Sequence, residues 1–86
     1  MNDTVVSPVL FKLNRLCFAR SVEHYGHTGF EKDEIVWLNY TKKLRTGTTV
    51  ANVCKTYREG PRVCKREGET FSLPQDLLTP IENQPA

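Results

Sequence analysis

Two histidines and two of the three cysteines are the side chains that most directly suggest chemistry. His24 and His27 lie three residues apart, and Cys54 and Cys64 lie ten residues apart. Imidazole and thiolate bind zinc well, but structural zinc sites draw their cysteines from close pairs such as Cys-x-x-Cys. The alternative is a surface histidine pair and two buried thiols. We therefore predict no metal and no cofactor.

The same residues give little support to catalysis. A cysteine nucleophile needs a histidine base that a third group orients, and the sequence around His24 and His27 offers no such group. The chain also lacks a glycine-rich phosphate loop and a suggestive pair of carboxylates. We predict that the protein is not an enzyme.

Cysteine usage and the N-terminal sequence bear on location. An odd number of scattered cysteines does not make a disulfide framework, and residues 1–11 show neither a basic segment nor a cleavage pattern. No apolar run approaches the ~18 residues that a membrane helix needs. These features predict a cytoplasmic protein with reduced thiols and no membrane contact.

Charge is concentrated in one third of the chain. The 86 residues carry a net charge of +2, but residues 41–68 hold eight of the twelve lysines and arginines and only two of the ten acids. A block of this kind is the footprint expected for phosphate contacts. The alternative is a solvated basic face without a partner. The length predicts one domain over residues 1–86, with flexible tails at 1–6 and 79–86.

The first element is predicted to be a helix that starts at Ser7-Pro8 and ends at Gly26. Its apolar residues form two opposite stripes, and a chain this short has little else to cover both. Either other elements wrap the helix, or the second stripe is a homodimer or partner contact. The residues of that stripe are Phe11, Phe18, Val22 and Tyr25.

A second helix is predicted from Phe30 towards Leu38. Thr28 followed by Glu31 forms a capping-box pattern, and Asp33 adds negative charge in the first turn. Residues 34–40 contain the run Ile-Val-Trp-Leu, which also fits a buried strand. Both alternatives remain open at this stage.

A third helix is predicted from Thr48 or Thr49 to Gly60-Pro61, because apolar residues recur at intervals of three and four. Its outward side is rich in Asn, Lys and Thr. Residues 62–73 are predicted to form a short hairpin that turns at Glu67-Gly68 and ends at Pro74. One helical turn is expected at residues 75–78.

Three helices, a hairpin and a short helix make a winged helix-turn-helix arrangement, mainly α with a small β-hairpin. Residues 60–78 resemble the wing of excisionase and MerR-type DNA-binding domains, with Gly-Pro-Arg, a basic strand, a glycine turn and a strand with an aromatic residue. Residues 31–38 and 49–58 are similar to the two helices that precede that wing. The resemblance implies a recognition helix over residues 49–58.

These features predict a small protein that binds double-stranded DNA, an excisionase-like factor or a transcriptional regulator, encoded by a phage or mobile element. The residues predicted to contact DNA lie in the basic block. They are Lys42, Lys43, Arg45, Thr49, Asn52, Lys55, Thr56, Arg58, Arg62, Lys65 and Arg66.

The alternative is a small phage-type inhibitor or adaptor that binds a host enzyme. The two-sided first helix favours it. So does the separation of the second and third helices by about ten residues, where helix-turn-helix domains use a turn of about three or four.

Overall fold

Seven β-strands and one short 3-10 turn make up the described chain. A computed structural model describes residues 9–81. The strands are β1 (Leu10–Leu13), β2 (Cys17–Ser21), β3 (His27–Phe30), β4 (Ile35–Lys43), β5 (Thr49–Glu59), β6 (Arg62–Pro74) and β7 (Leu78–Pro80). Residues 9–81 contain no α-helix, so the predicted winged helix-turn-helix fold is wrong.

All seven strands belong to one antiparallel sheet in the order β3-β2-β6-β5-β4-β1-β7. The sheet curls into a half-barrel. Strands β4, β5 and β6 are the longest and form its centre through two successive hairpins. Strands β3 and β7 are the two edges.

The segment predicted as a first helix forms β1, a turn and β2. In β2, Ala19 and Ser21 are buried, whereas Phe18 and Arg20 are exposed. This period of two residues is that of a strand. Gly26 lies in the loop between β2 and β3 rather than at a helix end. Ser7 and Pro8, and the tails at 1–6 and 82–86, lie outside the described residues.

The segment predicted as a second helix forms the end of β3, a turn and the first four residues of β4. The Glu31 N–H donates a hydrogen bond to Oε1 of Glu34 at 3.0 Å, and Asp33 has φ +70°. The acidic residues therefore close a tight turn instead of capping a helix. The alternative interpretation of residues 34–40 as a strand is confirmed by β4.

The segment predicted as a recognition helix is the central strand β5. Ala51, Asn52, Val53 and Cys54 are all buried. Because residues 51–54 of β5 are covered on both faces, this stretch lacks the clean alternation of a half-buried strand. Neighbouring strands on both sides stabilise it, and this long-range pairing overrides the helical spacing.

The hairpin exists but turns at a different place. Glu59 pairs with Arg62 across the two-residue loop Gly60-Pro61, and Gly60 has φ +63°. Glycine at the first loop position suits a type II′ hairpin turn. Glu67-Gly68 lies within β6, at an irregularity in its pairing with β5. A 3-10 turn spans Gln75–Leu77 as expected, and Thr79 and Pro80 belong to β7 rather than to a tail.

One face of the sheet, the inner face, holds the core. Phe30 and Phe71 meet edge to face there, with ring centroids 5.2 Å apart. The core residues are Leu13, Ala19, Phe30, Val36, Ala51, Val53, Phe71, Leu73 and Leu78. The opposite face, which we call the outer face, carries the side chains that alternate with these.

Candidate nucleic-acid interface

A row of paired residues crosses the outer face. His27, Arg20, Ser72, Asn52 and Tyr40 are successive register partners from β3 to β4. Partners in a sheet place their side chains on the same face. The two central residues are small or buried, whereas the residues at both ends of the row are exposed. The row is therefore a low floor with large side chains at its ends.

Exposed aromatic rings stand at those ends. Phe18, Tyr25 and Tyr40 are 72%, 71% and 58% exposed. Phe18 lies two residues before Arg20 on the same face, and its ring covers Gly29. An added Cβ at Gly29 would lie 3.2 Å from that ring, so only glycine leaves full room for it.

Arg20 makes a cation–π contact with one of these rings, that of Tyr25. Its guanidinium lies 5.6 Å from the centroid of the Tyr25 ring, within cation–π range. A hollow of about 300 Å³ adjoins the pair and is lined by Arg20, Ser21, Val22, Tyr25 and Ser72. Its volume is at the lower end of the range for small-ligand pockets.

A chain of hydrogen bonds fixes the floor. Asn39 Nδ2 donates to Asn52 Oδ1 at 2.9 Å, and Asn52 Nδ2 donates to Thr70 Oγ1 at 3.2 Å. The Thr70 hydroxyl donates to Glu23 Oε2 at 2.8 Å, and its N–H donates to Oε1 at 2.7 Å. These bonds lower the pKa of the Glu23 carboxyl. We call this chain the polar ladder.

A β-bulge makes the first bond of the ladder possible. The pairing of β4 with β5 shifts between Leu38 and Tyr40, so that Asn39 is an additional residue. Asn39 therefore reaches Asn52 alongside Tyr40. Asn39 Oδ1 is buried and has no hydrogen-bond partner within residues 9–81.

The basic block is split between two ends of the sheet. Lys42, Lys43 and Arg45 lie around the β4–β5 turn, and Arg58, Arg62, Lys65 and Arg66 lie around the β5–β6 turn. These turns follow opposite ends of the eleven-residue strand β5. At about 3.3 Å per residue the two ends of β5 are roughly 33 Å apart, and the two groups lie towards those opposite ends.

Most of the cations have no acidic partner. Among residues 9–81, ion pairs within 4.0 Å join only Lys12 to Asp33, at 3.9 Å, and Lys55 to Glu34, at 3.0 Å. The cations at both ends of β5 are therefore available to an external polyanion. This part of the sequence-based site remains accessible in the structure.

Four other residues predicted to contact DNA are occupied or partly covered. Asn52 is 7% exposed within the polar ladder. Lys55 Nζ lies 4.2 Å from the Phe30 ring centroid and is paired with Glu34. The Thr56 hydroxyl donates to the Ile35 carbonyl at 3.0 Å, and Thr49 is half-buried.

The four residues of the predicted partner stripe lie on two different strands and a loop. Phe18, Val22 and Tyr25 are exposed on β2 and the loop after it, while Phe11 lies on β1 and packs against the core. The helix through which a homodimer was predicted does not exist. Arg20 and Tyr40 were not among the predicted site residues. Arg20 lies between the buried residues Ala19 and Ser21, and this alternation is its signal as an outward residue of a strand.

The residues considered for zinc do not assemble. His24 and His27 are exposed near the β2–β3 loop, whereas Cys54 is buried on β5 and Cys64 is half-buried on β6. Within the described chain, no group of three or more His, Cys, Asp or Glu side chains is placed to hold a metal ion. The His24–His27 pair therefore has no thiol partner.

No family model matches the chain, and no curated protein or solved structure is significantly similar to it. Residues 9–81 form no helix with the length and apolar character that spanning a membrane requires. The features of the described chain that bear on function are the outer face and the cations at the ends of β5.

Proposed function

We propose that the chain binds single-stranded nucleic acid on its outer face. Bases stack on the Phe18 and Tyr40 rings, and phosphates contact Arg20 and Lys42. The observation that carries this proposal is the combination of exposed aromatic rings and unpaired cations on one face of the sheet. Sheet surfaces of this composition are well suited to unstacked bases.

Base stacking on the exposed rings favours a single strand over a duplex at this face. The flat faces of the bases are accessible only when they are not stacked within a helix, and base–aromatic stacking contributes about 1–3 kcal/mol per base. The hollow of about 300 Å³ beside Arg20, Tyr25 and Ser72 offers a place for a base. The cations add a contribution that falls as salt rises.

The proposed role is binding without catalysis. Asn39, Asn52, Thr70 and Glu23 are engaged with one another through the hydrogen bonds of the ladder, which suits a fixed floor better than a set of reacting groups. We place the activity in the cytoplasm. The free thiols of Cys17, Cys54 and Cys64 support that location, because reduced cysteines are typical of reducing compartments.

Fluorescence anisotropy with labelled 12-nucleotide dT and U oligomers tests the proposal. Phe18→Ala and Tyr40→Ala should each weaken binding about 5- to 150-fold, the equivalent of one lost stacking contact. Leu16→Ala is the matched control, since Leu16 is 60% exposed but lies in the β1–β2 turn. Absence of binding at low salt, or equal losses in all three variants, would contradict the proposal.

A second candidate function is that of a protein adaptor or inhibitor. Leu16, Phe18, Val22 and Tyr25 expose apolar surface on β2 and its flanking turns, and such a patch suits a protein partner. The two functions differ in salt dependence. Nucleic-acid binding should weaken steeply between 50 and 200 mM salt, whereas an apolar contact should not.

A further inference from the structure

The end of the β5–β6 hairpin extends beyond the rest of the sheet. We call residues 56–65 the arm. Its register runs from the pair Thr56–Lys65 to the pair Glu59–Arg62. The last β4 residue paired with β5 is Val36, opposite Lys55, and β2 pairs with β6 only at Ser72 and Phe71. The Thr56 hydroxyl at the base of the arm still donates to the carbonyl of Ile35, and Asp33 and Glu34 line a hollow beside Arg58. Among residues 9–81, no strand pairs with the arm beyond that base.

The arm and its base are strongly basic. Arg58 lies on one strand and Arg62 and Lys65 on the other, with Arg66 just beyond. The Arg66 guanidinium lies 5.8 Å from the centroid of the Tyr57 ring. The one acid of the arm, Glu59, accepts a hydrogen bond from the Cys64 thiol at 3.7 Å and forms no ion pair within the described chain. Positive charge is thus displayed on both strands.

The tip of the arm is narrow. Gly60 and Pro61 form the two-residue loop and are exposed. Gly60 has no side chain, and Pro61 has only its compact ring. The arm can therefore enter a cleft without a bulky residue at its leading end.

We propose that the arm enters the major groove of B-form duplex DNA. That groove is about 12 Å wide and about 8.5 Å deep, and it admits a two-stranded β-ribbon. Four residue pairs at about 3.3 Å each project roughly 13 Å, and the strands lie about 4.8 Å apart. Arg58 on one strand and Arg62 on the other then face the two sugar-phosphate walls.

The same geometry selects against duplex RNA. The major groove of A-form RNA is deep and too narrow for side chains to read. The arm should therefore distinguish the two duplexes by shape, independently of base sequence. This site is separate from the outer face and does not depend on the function proposed for that face.

The test compares a 16-base-pair DNA duplex with the RNA duplex of the same sequence. Wild-type protein should bind the DNA duplex at least tenfold more tightly. The double variant Arg58→Ala/Arg62→Ala should lose that preference, and the slope of log K against log salt should decrease by roughly 2. Circular dichroism should show an unchanged fold, because both side chains are exposed.

The matched control is Arg15→Ala/Lys32→Ala, which removes two exposed cations outside the arm. It should keep the preference for DNA. Equal losses in both double variants would overturn the proposal, as would equal affinity of wild type for the two duplexes. Displacement by netropsin, which occupies the minor groove, would overturn the assignment to the major groove.

Binding of the single-stranded oligomers distinguishes the arm proposal from the outer-face proposal. The arm variant should still bind them, with the same sensitivity to Tyr40→Ala as wild type. If wild type binds duplex DNA with the stated preference but not single strands, the arm proposal stands and the outer-face proposal fails. The reverse result rejects the arm proposal alone.

Discussion

Thr70 donates two hydrogen bonds to Glu23, from its N–H and from its hydroxyl, although the two residues are 47 positions apart. The contact ties the turn after β2 to the middle of β6. It also ends the polar ladder in a carboxylate, so every bond in the ladder points towards a negative charge. Chains of aligned hydrogen bonds reinforce one another in this way.

This contact predicts a pH dependence of stability. Hydrogen bonds from Thr70 lower the pKa of Glu23 below its ordinary value of 4.5 in the folded chain. Their stabilisation is therefore fully present above about pH 4.5 and is lost as the pH falls through the folded pKa. Glu23→Gln should lower the Tm at pH 7, and its difference from wild type should shrink below pH 4.5.

The control for this prediction is Glu31→Gln, which removes an exposed carboxylate from the β3–β4 turn. It should change the Tm at pH 7 less than Glu23→Gln does. A constant Tm difference between wild type and Glu23→Gln from pH 7 to pH 3 would show that the carboxylate does not hold Thr70.

Asn52 should matter for stability rather than for contact with a ligand. It is 7% exposed and joins Asn39 to Thr70 in the ladder. Asn52→Ala leaves the Asn39 amide without its acceptor and should cost about 1–3 kcal/mol in the free energy of unfolding. Urea denaturation measures this cost.

Ser72→Ala is the comparison for Asn52→Ala, since Ser72 lies beside Asn52 in the same row. Ser72 is only half-buried and is not part of the ladder, so the change should cost less. Equal costs at the two positions would mean that the ladder adds nothing beyond ordinary packing.

The cysteines should differ in reactivity. Burial raises the pKa of the Cys54 thiol, which is 1% exposed, and also raises the pKa of Cys17. A raised pKa reduces the thiolate that reacts with electrophiles at pH 7.5. Iodoacetamide should therefore label Cys64 on the arm first and Cys54 last in the native protein, as followed by peptide mass spectrometry.

Denaturation in urea should make the three labelling rates similar. Fast labelling of Cys54 under native conditions would indicate that the β6 segment near it opens readily. Such opening would be inconsistent with the burial of Cys54 between β4 and β6.

The strand β5 shows why the fold could not be predicted from local sequence. Val50, Val53, Cys54 and Tyr57 have helical spacing, and Gly60-Pro61 follows where a helix would end. The same residues fit a strand that is covered on both faces, and only pairing with β4 and β6 decides between the two. In this chain the deciding partners are distant in sequence.

The candidate site was predictable in part. Charge needs no fold to be recognised, so Lys42, Arg58 and Arg62 were identified as cations available to phosphate. The division of these cations between the two ends of β5 depends on where the β4–β5 and β5–β6 turns fall, and it could not be predicted from the sequence. The aromatic residues Phe18 and Tyr25 were identified as a candidate partner contact rather than as a surface for bases. Tyr40 was missed because residues 34–40 fit both a helix and a buried strand.

The edge formed by β1 and β7 has a consequence for engineering. The Ile81 N–H donates a hydrogen bond to the Leu10 carbonyl at 3.0 Å, so the described chain begins and ends at one corner of the sheet. A short flexible linker between these positions would give a circular permutant, with new ends opened in the exposed β1–β2 turn. The same proximity would let residues 10–81 be inserted into a surface loop of a carrier protein.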